Sequence, residues 1–158
     1  MSGDRTIVER RIRANGLTFA VTEWPGAGPA VFLAHATSFH ARCWDQVAER
    51  LPGVRCLAID MRGHGRSDRP PPPYPWLAFG EDVAAVTREM GIRGALGVGH
   101  SKGGHAVING ASLNPGSFAA LLLVDPVVAP RARYSLPAPT GQHPSAKRRN
   151  RWASPREF

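Results

Sequence analysis

The chain has 158 residues, of which 42% are hydrophobic, enough for one globular domain with its own core. The longest apolar run, Phe118 to Val124, is ended by Asp125 and falls far short of the roughly 18 residues of a membrane-spanning helix. The first five residues begin no apolar signal-peptide core, and the two cysteines form neither a disulfide framework nor a metal cluster. We therefore expect a cytoplasmic protein with no membrane contact.

The net charge of +8 is concentrated at the C-terminal end. Residues 1–130 contain 13 basic and 11 acidic side chains, whereas residues 131–158 contain 7 and 1. Basic runs such as Lys147-Arg148-Arg149 sometimes bind nucleic acid, but no nucleic-acid-binding motif accompanies this one. The composition favours a solvated basic tail and no nucleic-acid partner.

The first predicted elements are two strands, Ile7 to Arg13 and Leu17 to Trp24. They flank Asn15-Gly16, which is the strongest short signal for a β-hairpin. Beyond the hairpin, continuous apolar runs typical of strands buried on both faces alternate with helical patterns. The predicted strands are 30–34, 54–59, 95–98 and 118–124, and the predicted helices lie near 44–51, 79–90 and 102–113. This order predicts an α/β fold with a mostly parallel sheet, helices on both faces and an antiparallel N-terminal hairpin.

Polar side chains directly follow four of the predicted strands. They are His35, Asp60, Ser101 and Asp125. Because parallel strands end at one edge of a sheet, where α/β proteins place their active sites, we expect these side chains to share one rim.

Ser101 lies at the centre of Gly99-His100-Ser101-Lys102-Gly103, between a predicted strand and a predicted helix. The spacing is typical of a nucleophile elbow, a turn so tight that only glycine fits two residues before and after the serine. It predicts a hydroxyl at the top of the sheet, with N–H groups of the following helix facing a developing negative charge. An ordinary glycine-rich turn is the alternative interpretation.

Three motifs together resemble those of the α/β-hydrolase family. They are His35-Ala36-Thr37 after the third strand, the loop from Asp60 to Ser67 after the fourth, and the elbow. The resemblance covers about residues 7–128 and is closest to single-domain esterases, lipases and haloperoxidase-like members, although Ala36 replaces a usual glycine. It implies an incomplete hydrolase core of about six strands over residues 1–130, followed by a basic, proline-rich tail over 131–158 that is similar to the start of a cap.

The resemblance also implies a function. It indicates a serine hydrolase that acts on carboxylic esters or related small acyl substrates and needs no cofactor or metal. Ser101 would form an acyl-enzyme, and the backbone N–H groups of Thr37 and Lys102 would form the oxyanion hole. A serine at this position argues against the dehalogenase and epoxide hydrolase branches, which use aspartate. The Lys102 side chain is not expected to reach the Ser101 hydroxyl, because adjacent helical residues face different directions.

The acid and the base of a catalytic triad remain open. Asp125 is a candidate acid, although Asp-Pro is also typical of a turn. In the family's order the histidine comes last, and only His143 follows Asp125, within a proline-rich segment that offers no element to hold it. His35 resembles the structural histidine of the oxyanion loop. The remaining histidines are expected to point away from the pocket (His100) or to lie at the surface or in loop packing (His40, His64 and His105).

The missing base supports an alternative function. The chain would then be a truncated, inactive hydrolase fragment that acts at most as an interaction or complementing module. Its sixth strand would be a bare edge with an uncovered apolar face, which predicts self-association through that edge.

Overall fold

A computed structural model of the protein describes residues 6–134. The expectations for the basic tail beyond Tyr134, including His143, lie outside the described residues. The described chain is an α/β unit built on one six-stranded sheet. Its elements are β1 (Val8–Ala14), β2 (Leu17–Trp24), β3 (Ala30–Ala34), a 3-10 turn (Ala41–Trp44), α1 (Asp45–Glu49), β4 (Arg55–Ile59), α2 (Trp76–Glu89), β5 (Ala95–His100), α3 (Lys102–Leu113), β6 (Phe118–Val124) and α4 (Arg131–Tyr134).

The strand order in the sheet is β1-β2-β4-β3-β5-β6. β1 and β2 form the predicted hairpin, whose turn residues Asn15 and Gly16 both have left-handed backbone angles, with φ of 47° and 72°. β2 runs antiparallel to β4, and all the other pairings are parallel. The carboxyl ends of β3, β4, β5 and β6 therefore meet at one rim.

Both faces of the sheet are covered by helices. Because side chains alternate along a strand, β3 and β4 contribute to both sides. One core cluster joins Phe32 and Leu57 to Val83 of α2. The other joins Leu33 to Ala48 of α1. The mostly parallel sheet with helices on both faces is thus confirmed.

The segment between β3 and β4 differs from its predicted form. Instead of one helix with Val47 on its buried side, the chain forms a 3-10 turn followed by the five-residue α1. Ala48 is fully buried in this short helix, whereas the Val47 side chain is 41% exposed. The apolar pattern that begins at Phe79 lies inside α2, which begins earlier, directly after Pro75.

β6 is the outermost strand on its side of the sheet. Leu121, Leu122 and Val124 are 36%, 54% and 46% exposed within the described part of the chain, where the outer edge of β6 has no partner strand. No helix in the described part of the chain is long and apolar enough to cross a membrane.

Candidate active site

Ser101 connects β5 to α3 through a sharp turn. Its backbone has φ 52° and ψ −114°, a region that residues with a side chain rarely adopt. Four backbone hydrogen bonds hold it there. The Ser101 N–H donates to the Val124 carbonyl at 2.9 Å, and the Ser101 carbonyl accepts from Gly104 at 3.0 Å, from His105 at 3.3 Å and from Val127 at 3.2 Å.

The glycines around Ser101 are required by close backbone contacts. A Cβ atom at Gly99 would overlap the carbonyl of Gly103, and one at Gly103 would overlap the carbonyl of Ala34 in the neighbouring β3. Strand, turn and helix therefore pack backbone against backbone. This is the arrangement that the spacing of the two glycines predicts.

The two candidate oxyanion donors follow the carboxyl ends of adjacent strands, β3 and β5, at equivalent positions. Ala34 of β3 is in register with Gly99 of β5, and Thr37 and Lys102 each follow three residues later. Lys102 is the first residue of α3, so its N–H has no acceptor within the helix. Thr37 lies in the exposed loop after β3. Both positions suit donors to an oxygen above Ser101.

His35 joins the Thr37 loop to the loop after β4. It is fully buried, and its Nε2 accepts the Met61 N–H at 3.1 Å. Its other nitrogen, Nδ1, must therefore carry the proton, which it donates to the Ala36 carbonyl at 2.7 Å. Burial lowers the pKa of His35 to about 3. The ring stays neutral and cannot serve as the base.

The loop from Asp60 to Ser67 is held by its own polar groups. The Asp60 carboxylate accepts N–H groups from Ala41 at 2.6 Å and Arg66 at 2.8 Å. The Ser67 hydroxyl donates to the Asp60 carbonyl at 2.5 Å and accepts the Ala20 N–H at 2.8 Å. Both side chains are engaged in bonds that hold the loop, so Asp60 has a structural role at the rim.

The Lys102 side chain is directed at His64 rather than at Ser101. It is only 5% exposed, with Nζ 3.1 Å from His64 Nε2 and 4.4 Å from the centre of the Phe79 ring. Burial lowers the pKa of Lys102 to about 7. His64 donates through Nδ1 to the Arg62 carbonyl at 2.9 Å, and burial followed by the Lys102 charge lowers its pKa to about 4. The sequence pattern gave no sign of this contact.

His105 differs from the expectation of a surface or loop position. It is 2% exposed, on α3, with its ring against those of Trp76 and Tyr134. Its Nε2 lies 3.2 Å from the Trp76 carbonyl. It is buried because the first turn of α3 packs against the start of α2, and it is engaged in that packing.

The part of the chain that the structure describes brings no base to the nucleophile. Asp125 lies at the end of β6 with φ 43° and is exposed. Within residues 6–134, no histidine is hydrogen-bonded to the Ser101 hydroxyl or to the Asp125 carboxylate. No group of histidine, cysteine and acidic residues in the same range could hold a metal ion. The described site is a serine at a strand-to-helix turn, and the two candidate backbone donors follow adjacent strands of the sheet.

The chain belongs to the Alpha/beta hydrolase family, whose sequence model matches residues 31–158. It is 38% identical over 112 residues to Lipase LipV of Mycobacterium tuberculosis, and 37% identical over 118 residues to a non-heme chloroperoxidase of Streptomyces lividans. These matches cover 69% and 72% of this chain but only 42% and 43% of the relatives. The chain therefore spans less than half the length of these proteins.

Solved structures agree with this membership. A deformylase of N-formylmaleamic acid from Pseudomonas putida S16 is 29% identical, with a TM-score of 0.69, over 75% of this chain and 47% of that one. The haloalkane dehalogenase DatA of Agrobacterium tumefaciens C58 is 27% identical, with a TM-score of 0.72, over 78% and 42%. The shared part is a partial α/β-hydrolase core, and the relatives differ in the reactions for which they are named.

Proposed function

We propose that the protein is a serine hydrolase that acts on carboxylic esters or related acyl substrates. The observation that carries this proposal is the backbone of Ser101, which has a left-handed φ of 52° between β5 and α3. Such a conformation costs about 1–3 kcal/mol and persists mainly where it serves a site. The similarity to a lipase and to a bifunctional esterase/perhydrolase supports an acyl substrate.

In the proposed reaction, Ser101 Oγ attacks the carbonyl carbon while its proton passes to a base. The oxyanion of the tetrahedral intermediate accepts hydrogen bonds from the N–H groups of Lys102 and Thr37. Removing one such donor typically costs about 2.7–4 kcal/mol of transition-state stabilisation. The intermediate expels the protonated alcohol, and water then hydrolyses the acyl-enzyme. Asp125 is the candidate acid that would orient the base.

The choice of nucleophile separates this proposal from the dehalogenase and epoxide hydrolase reactions. Those branches use an aspartate at the elbow, whereas this chain has Ser101. A serine suits acyl transfer, because water can hydrolyse the ester that it forms at the acyl carbon. We therefore propose acyl transfer, although the fold resembles all three groups.

A fluorophosphonate probe tests this proposal directly. Wild-type protein should be labelled at Ser101, and Ser101→Ala should react at least about a thousandfold more slowly, because the probe then has no activated hydroxyl to phosphonylate. Ser112→Ala, at an exposed position of the same helix, is the matched control and should retain the wild-type rate. Mass spectrometry locates the adduct. Undiminished labelling of Ser101→Ala, or an unlabelled but folded wild type, would refute the proposal.

A second candidate function is a self-associating or complementing module without activity of its own. The supporting observation is β6, which in the described part of the chain combines an unpaired edge with exposed Leu122 and Val124. Strands of this kind pair with strands of other chains. We propose that the occupant is a second copy of this chain.

Light scattering tests this candidate. The wild-type chain should be dimeric or larger at micromolar concentration, and Leu122→Lys should shift it towards the monomer, because a lysine on an edge strand opposes pairing. Val47→Lys, an exposed apolar position on α1 rather than on the edge strand, is the control and should leave the mass unchanged. A monomeric wild type would contradict the candidate.

A further inference from the structure

Lys102 is a buried amine without a carboxylate partner. Its side chain is enclosed in the core beneath the elbow, and no acidic oxygen within residues 6–134 forms an ion pair with its Nζ. Its contacts are instead His64 Nε2 at 3.1 Å and the face of the Phe79 ring at 4.4 Å. Burying a charged lysine side chain costs free energy, and neither of these two contacts provides an opposite charge to offset that cost.

The direction of the Lys102–His64 hydrogen bond follows from the tautomer of the histidine. His64 Nδ1 lies 2.9 Å from the Arg62 carbonyl, which can only accept, so the ring proton is on Nδ1. Nε2 then offers a lone pair, and Lys102 is the donor. His35 packs against His64, with ring centres 5.1 Å apart, and is held neutral by burial. The Lys102 amine thus donates its hydrogen bond to a neutral histidine ring rather than to a carboxylate.

The other charged groups around this cluster are engaged elsewhere. Asp60 accepts two backbone N–H groups, and the Arg62 guanidinium pairs with Asp82 of α2. Asp60 raises the pKa of His64, and Arg69 and Lys102 lower it. Among the described residues, Lys102 is therefore a buried amine that has no carboxylate at contact distance.

We propose that Lys102 assists the oxyanion site electrostatically, because its buried side chain belongs to the same residue as the backbone N–H that would bind the oxyanion. The inference rests on the proposed function, in which that N–H binds the oxyanion. Nζ is at most about 6 Å from its own Cα, since only five single bonds separate them. At that range in a partly buried setting, a positive charge stabilises a developing negative one.

The charge is present only below neutral pH. Burial lowers the pKa of Lys102 to about 7, so the ammonium is lost as the pH rises through that value. The stabilisation of the oxyanion by this charge should then be at its full value below about pH 6 and lost above about pH 8. A neutral amine still donates to His64, so the hydrogen bond persists and only the charge changes.

The test compares the rates of fluorophosphonate labelling at Ser101 in wild type and Lys102→Met. The ratio of the two rates cancels the titration of whatever base activates the serine, because the base is common to both proteins. We expect wild type to react about tenfold faster at pH 6 and at the same rate at pH 9. Lys102→Gln, which keeps a donor for His64 but no charge, should behave like Lys102→Met.

Thermal unfolding of the same proteins gives a readout that does not depend on activity. The folded pKa of about 7 lies below the ordinary value of 10.5, so the unfolded chain binds more protons between those pH values. Wild-type stability relative to Lys102→Met should therefore rise as the pH increases from 7 to 10. A difference in melting temperature between wild type and Lys102→Met that does not change with pH would contradict the lowered pKa of Lys102 and overturn the inference.

The outcomes separate this inference from the proposed function. A labelling ratio that is the same at pH 6 and pH 9, or a Lys102→Gln variant with wild-type rates, would overturn the role of the charge and leave the serine hydrolase proposal intact. A folded wild type that is not labelled at Ser101 would refute both. A ratio that falls from about ten to about one supports the inference, since a purely structural lysine would change the rate equally at both pH values.

Discussion

Replacing Gly103 with alanine is expected to lower the free energy of unfolding by at least about 3 kcal/mol. The new Cβ would overlap the carbonyl group of Ala34 and approach the His35 carbonyl oxygen to 2.7 Å. Both are backbone atoms at the end of β3, a strand paired on both sides. β3 cannot retreat without breaking those pairings, so we expect α3 to be displaced and Ser101 to lose its conformation.

Urea denaturation measures this effect, and the sign of the change is informative. Glycine to alanine inside a helix normally stabilises by about 1 kcal/mol, because alanine has the higher helix propensity. A destabilised Gly103→Ala variant would thus be evidence of the backbone contact itself. Ser112→Ala in the same helix should change stability by less than about 0.5 kcal/mol. A Gly103→Ala variant at least as stable as wild type would show that the elbow is not packed as described.

Replacing Asp82 with alanine is expected to cost about 3–5 kcal/mol, because it would leave a largely buried guanidinium without its partner. The Asp82 carboxylate on α2 accepts two bonds from Arg62, both at 2.5 Å, and one from Asn15 at 2.8 Å. The side chains of Asp82 and Arg62 are 1% and 13% exposed. This contact ties the hairpin, the loop after β4 and α2 together, so we expect its loss to lower the stability of the whole unit.

Asp45→Ala provides the matched control, because it removes a partner from an ion pair of similar geometry at the surface. Arg42 and Asp45 are 2.7 Å apart, with side chains 40% and 27% exposed. Such pairs contribute about 0–1 kcal/mol. The melting temperature should fall markedly for Asp82→Ala and little for Asp45→Ala. Equal effects of the two substitutions would contradict the structural role assigned to Asp82.

Much of the fold could be predicted because its signals are local. The predicted strands at 30–34 and 118–124 and the helix at 102–113 coincide with β3, β6 and α3. Continuous apolar runs define buried strands, and glycine spacing defines a turn that only glycine permits. The position of Ser101 between β5 and α3 follows from the same two signals.

The parts that could not be predicted depend on long-range packing. Val47 fits the apolar pattern of a helix, but α1 is too short to bury it. The contact between Lys102 and His64 joins residues 38 positions apart, and no sequence period encodes such a pairing. His105 is buried for a similar reason, since α3 meets the start of α2 there. Sequence spacing indicates which strand end a residue follows, but not which side chain it meets.

The hydrogen bonds of Ser101 also govern how rigid the nucleophile can be. Its N–H is bonded to Val124, the last residue of β6, and its carbonyl to Val127 beyond that strand. Among residues 6–134, β6 is paired on one side only, and strands paired on one side open more readily than central ones. Each local opening at the end of β6 therefore removes two of the four backbone hydrogen bonds of Ser101. The amide hydrogen of Ser101 should therefore exchange with solvent deuterium at the rate at which the end of β6 opens. Opening of this edge of the sheet thus weakens the backbone support of the nucleophile.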